Sequence, residues 1–181
     1  MDFVQPIRDK ETIEKMKDVL KKSSYRDWFM FVFGINTGLR ISDILNLKVC
    51  DVKDKTHVTI REKKTNKEKR FKINTSLQIV INDYIKTMEE DEFLFASKKT
   101  GKGLGRIQAY KILNAAASKV GLTESIGTHT LRKTFGYFFY KQTKDIAILQ
   151  TLFNHSSPSI TLLYIGINQD QLDLAMDNFT I

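Results

Sequence analysis

The stretch that decides the reading runs from Gly127 to Gly166, GTHTLRKTFGYFFYKQTKDIAILQTLFNHSSPSITLLYIG. His129 and Arg132 stand three apart within it, His155 follows, and Tyr164 comes nine positions after His155. The pattern predicts a helix from Thr128 to about Lys141, which places His129 and Arg132 on one face. A second helix is expected from roughly Lys144 to Phe153. Asn154-His155-Ser156-Ser157 then makes a tight turn, and Pro158 opens a short helix with Ser157 as its N-cap. Tyr164 falls at the far end of that helix, where the chain loosens into Ile165-Gly166. Two imidazoles, a guanidinium and a phenol converging on one target suit attack on a phosphodiester.

Working outward, the run from Tyr25 to Ile35, YRDWFMFVFGI, is apolar almost all round, as expected of a helix buried inside a bundle. Trp28, Phe29, Phe31 and Phe33 are read as core. Asn36-Thr37-Gly38 stops this helix, with Gly38 suited to the left-handed position beyond its end. Arg40 then stands at the start of the next helix, ISDILNLK, where free N–H groups add to a guanidinium in holding an anion. Two readings of Arg40 stay open from the residues alone: a phosphate ligand, or a partner for Asp43 or Asp51. Asp43 is also placed to hold Arg40 or a histidine in position.

His-x-x-Arg in HTLR, the LFNHSSPSITLLYI segment and the third motif NTGLRISDILNLK, Asn36 to Lys48, together resemble the signatures of the tyrosine recombinase (phage integrase) family, in the family's order and over essentially all of the chain from about Pro6. The resemblance implies a mainly α-helical catalytic domain with one small antiparallel β-sheet. It implies Arg40 and Arg132 as a phosphate clamp, His129 as the base for Tyr164, the nucleophile, and His155 as a hydrogen-bond donor to the phosphate. His57 to Glu62 and Lys69 to Ile73 alternate with period two around a basic tip, a β-hairpin. The family's hairpin lysine, which protonates the departing 5′ oxygen, maps to Lys64, with Lys63 as its rival. Lys63, Lys67, Lys69, Lys102 and Lys133 are candidate contacts to the DNA backbone. Implied too are double-stranded DNA as substrate, a tetramer of this chain on paired sites, and neither cofactor nor metal. A type IB topoisomerase and a relative that binds DNA without cutting it are the competing readings.

Composition is consistent with this. The chain has 181 residues, 41% of them hydrophobic, and two prolines, enough for one folded domain and not a disordered one. The domain is expected to span 1–181 with a tail at 167–181, leaving no room for the helical N-terminal DNA-binding domain common in the family. One cysteine, Cys50, excludes an internal disulfide and a thiolate cluster. No apolar run reaches membrane-spanning length and the N-terminus lacks a signal-peptide core, so a cytoplasmic location is expected. The net charge of +8 is uneven: Lys48 to Lys72 carries ten basic and four acidic residues, whereas three Asp and no basic residue follow Tyr164. A concentrated basic segment favours an anionic polymer.

Three more helices are expected. One is capped by Asp9; one is capped by Thr75 and runs through Leu77, Ile81, Tyr84, Ile85 and Met88; the third spans Arg106 to Val120. The tail, INQDQLDLAMDNFTI, reads as a short helix with Leu172, Ala175, Met176 and Phe179 on one face. That face is expected to bury against protein, either a neighbouring protomer or its own domain.

Overall fold

The computed structural model describes residues 4–61, 68–167, 174 and 176–179. Helices α1 (Lys10–Ser23), α2 (Tyr25–Thr37) and α3 (Ile41–Ile44) come first, then strands β1 (His57–Arg61) and β2 (Glu68–Lys72). Helices α4 (Thr75–Tyr84), α5 (Arg106–Lys119), α6 (Thr130–Thr143), α7 (Ile146–Phe153) and α8 (Pro158–Ile165) follow. The two strands pair antiparallel with His57 opposite Lys72 and Arg61 opposite Glu68. This is the mainly helical fold with one small sheet that the sequence implied.

The apolar α2 sits in the middle and packs on α1, α3, α4 and α6. Phe29, Phe31 and Phe33 are fully buried there, while Trp28 is half-buried and stacks on Tyr25 with ring centroids 4.9 Å apart. A second, smaller core of Tyr137, Leu149, Phe153, Ile165 and Ile167 joins α6, α7 and α8 and backs the candidate site.

Several helix ends differ from the sequence reading for local reasons. Thr130 N–H donates to Gly127 O at 3.0 Å and Gly127 N–H to Thr130 Oγ1 at 3.1 Å, so a turn occupies Gly127–Thr130 and α6 begins at Thr130. His129 becomes its N-cap, still one turn from Arg132. Lys144 takes the left-handed conformation (φ 56°) that ends α6, and Asp145 caps α7 by accepting from Ile148 N–H, so α7 starts two residues later than expected. Asn74, not Thr75, caps α4 through Leu77 N–H at 2.8 Å, and α4 ends at Tyr84. Asp9, Ser157 and Gly38 (φ 64°) cap as predicted.

Gly136 lets α6 and α8 meet. A methyl group there would lie 2.6 Å from Ile165 Cγ2 and 2.8 and 2.9 Å from Phe153 ring carbons. Gly136→Ala should therefore cost about 1–3 kcal/mol, despite alanine's better helix propensity, because overpacking outweighs it. Denaturant unfolding checks this, and a variant as stable as wild type would show that α8 is free to shift.

Candidate active site

Four elements bring the site together. Gly38 ends α2 in a left-handed turn, which delivers Arg40 as the exposed N-cap of α3. The first turn of α6 carries His129, Arg132 and Lys133. Asn154, also left-handed (φ 55°), ends α7 and sets His155 in the turn to α8, from which Tyr164 points back.

Arg132 is 4% exposed and stitches the site to the fold. Its Nη1 donates to Gly38 O, its Nη2 to Phe153 O at 3.1 Å, and its guanidinium carbon lies 4.0 Å from the Phe153 ring centre. The two-pronged grip expected toward phosphate is thus partly spent on main-chain carbonyls. A further hydrogen bond reaches the Tyr164 side chain, so the guanidinium ties the nucleophile candidate to the same two carbonyls. Burial brings its pKa down to about 10, so it is a cation at neutral pH.

Tyr164 is half-buried between the two histidines. Its hydroxyl lies 3.2 Å from His129 Nδ1, and the His155 ring packs edge-on at 5.0 Å between centroids. Burial raises the phenol's pKa above 10.0, while Arg132 and Arg40 pull the other way. At neutral pH the phenol is protonated. For His129 burial lowers the pKa below 6.5, and Lys133, Arg132, Arg106 and Arg40 add to the effect in that order. A neutral imidazole beside a protonated phenol is an acceptor facing a donor, the arrangement proton abstraction needs. His155 Nδ1 is 3.1 Å from the buried Thr161 Oγ1, which fixes the ring's orientation from one side.

Arg40, His129, Arg132, His155 and Tyr164 are therefore brought together, and Asp43 is near enough to raise the pKa of Arg132. Lys63, Lys64 and Lys67 lie outside the described residues. Lys69 is in β2 opposite Ile60, and Lys102 is exposed in the turn before α5. Lys133, read from sequence as a backbone contact, is turned inward: it is 9% exposed, with Nζ 5.0 Å from the centre of the Tyr164 ring. The sequence reading passed over Arg106, the exposed first residue of α5, which helps depress the pKa of His129. A basic residue at a helix N-terminus, against the dipole, was the available signal.

Two measurements test this geometry. Arg132→Lys retains a charge but cannot reach both carbonyls, so it should lose about 1.5–3 kcal/mol of unfolding free energy; unchanged stability would mean the stitch is dispensable. NMR titration of the free protein should place His129 below 6.5 and Tyr164 above 10.0. A normal histidine titration would show that its ring is solvated and free of the cations around it.

The profile of the phage integrase family matches residues 8–171. The Bacillus subtilis protein named "Probable integrase/recombinase YoeC" is 56% identical over 170 residues, covering 94% of this chain and 93% of its own. Among solved structures, XerA recombinase superposes with a TM-score of 0.78 at 19% identity, over 98% of this chain and 65% of that one. XerH recombinase bound to difH substrate before cleavage gives 0.72 at 20%, over 99% and 56%. At such identities the superpositions speak to the fold. The chain spans between 49% and 65% of the length of the XerA and XerH proteins it matches. Among the described residues no helix is long and apolar enough to cross a membrane. The profile match over most of the chain, with a relative more than half identical, makes this chain a member of the phage integrase family of tyrosine recombinases.

Proposed function

We propose that the chain is a recombinase catalytic domain that cuts and rejoins double-stranded DNA through a 3′-phosphotyrosyl intermediate. The observation that carries this is the Tyr164 hydroxyl 3.2 Å from a neutral His129, inside a ring of cations. His129 takes the phenolic proton and the Tyr164 oxygen attacks phosphorus. The bond from phosphorus to the 5′ oxygen breaks, and Lys64 protonates the departing alkoxide. Arg40 and the remaining N–H groups of Arg132 bind the charge that builds on the non-bridging oxygens, with His155 as a further donor. The phosphotyrosyl bond retains the energy of the phosphodiester, so the hydroxyl of another strand can reverse the step.

A tetramer on paired sites fits the tail. Leu174, Met176 and Phe179 are 64%, 70% and 64% exposed, so these apolar side chains are not spent on the domain's own core. Leu172 and Ala175 lie outside the described residues. The tail then docks on a neighbouring copy and ties Tyr164 to assembly. A DNA substrate fits a cytoplasmic location.

The test is a nicked suicide duplex carrying the junction of the element that encodes the protein, assayed for covalent adduct. Tyr164→Phe should abolish the adduct and leave DNA affinity nearly unchanged, since one oxygen is lost. Adduct formation should persist in EDTA, because arginine and lysine supply the charge that a metal would otherwise provide. Undiminished adduct from Tyr164→Phe removes the tyrosine from its role, and strict Mg²⁺ dependence removes the mechanism.

A further inference from the structure

Among the described residues, Lys133 is a buried cation of the site that takes no part in the proposed reaction. It is nine-tenths buried, and its Nζ lies over the Tyr164 ring, 5.0 Å from the centroid. That is inside the roughly 6 Å range of a cation–π contact. The placement is uphill for the resting fold on two counts. Burying an ammonium away from a carboxylate costs stability, and the first turn of α6 holds no acidic residue to offset two cations against the helix dipole. Burial and Arg8 both lower the lysine's own pKa. The surrounding charges are nearly all of one sign. Arg8, on the N-terminal segment, and His129, at the start of α6, interact with it, and the site beyond them carries Arg132 on α6, Arg40 and Asp43 at the start of α3, Arg106 on α5 and His155 in the turn before α8.

We propose that Lys133 is a positioning residue for Tyr164: its ammonium seats the ring against His129 and stabilises the phenolate as the proton leaves. The physical basis is differential. A phenol ring offers a cation only its quadrupole, whereas a phenolate ring carries part of a full negative charge, so the contact strengthens in the transition state. The inference rests on Tyr164 being the nucleophile. It explains why a lysine stays buried beside other cations, a cost that function imposes on stability.

The test compares single-turnover adduct formation by the wild-type chain, Lys133→Met and Lys133→Arg on the same nicked duplex between pH 6.5 and 10. Methionine keeps the length and apolar stem without the charge. Wild type should be roughly threefold to tenfold faster than Lys133→Met at pH 7, with DNA affinity equal. The ratio should close toward one as pH rises and the wild-type lysine loses its proton. Lys133→Arg, charged throughout, should keep its advantage and overtake wild type at alkaline pH. Lys133→Met should be at least as stable as wild type. Equal rates at pH 7 overturn the proposal, and so does a deficit of constant size across pH, which marks a packing role. If Lys133→Met fails to fold, the alkaline comparison of Lys133→Arg with wild type decides alone. No adduct from the wild-type chain would instead sink the assignment of Tyr164.

Discussion

One buried guanidinium sets the terms for this molecule. Arg132 closes the left-handed turn after α2 and the end of α7 by donating to Gly38 O and Phe153 O, and its guanidinium sits over the Phe153 ring. Those two chain ends present Arg40 and His155. The same side chain therefore helps set the distance between two polar groups of the site while being the third. Its charge is taken out of water and shared among carbonyl dipoles, which is tolerable only because each of those hydrogen bonds is made. Fold and chemistry cannot be separated at this residue: losing it leaves two buried carbonyls unsatisfied as well as a weaker anion site.

The electrostatics around it are unbalanced in the free protein. Arg40, Arg132, Lys133 and Arg106 surround one half-buried phenol and one neutral imidazole, with Asp43 as the nearby counter-charge. Burial and cations push Tyr164 in opposite directions, and burial wins. An incoming phosphodiester reverses neither term for the ground-state phenol. It does supply the negative charge that the cations lack, and more of it as the phosphorus becomes five-coordinate. For the proposed reaction, the resting site is thus shaped for a charge distribution that exists only when DNA is reacting.

Much of this was legible beforehand, and the reasons are local. Ser157-Pro158, Asp9 and Gly38 are signals whose mechanism lies within a few residues, and each appears where the sequence put it. The start of α6 was misplaced because Thr130 turns its hydroxyl back on Gly127, a competition between side chain and helix that spacing does not reveal. Thr75 and Asn74 are both good caps, and which one serves depends on how β2 delivers the chain into α4. Arg40, His129, Arg132, His155 and Tyr164 were singled out through three motifs together, since their convergence is a tertiary fact. The inward turn of Lys133 was not. Beside Arg132 in a basic chain it reads as one more solvated lysine, and only the packing of α8 against α6 shows the ring that it faces.

Residues 4–8 lie along α6 and are fastened there by Ile7 N–H to Thr134 Oγ1 at 2.9 Å. From this strap Arg8 reaches Gly166 O at 3.3 Å, two residues beyond the tyrosine, where an added methyl would strike its guanidinium. The start of the described chain is thereby tied to the end of the helix that carries Tyr164. An affinity handle, a fluorophore or a fused partner attached near residue 4 therefore adjoins a strap that is fastened to α6 and reaches the residue two beyond Tyr164. Reporter groups intended to be silent belong elsewhere on this protein, and those intended to sense the surroundings of Tyr164 belong here.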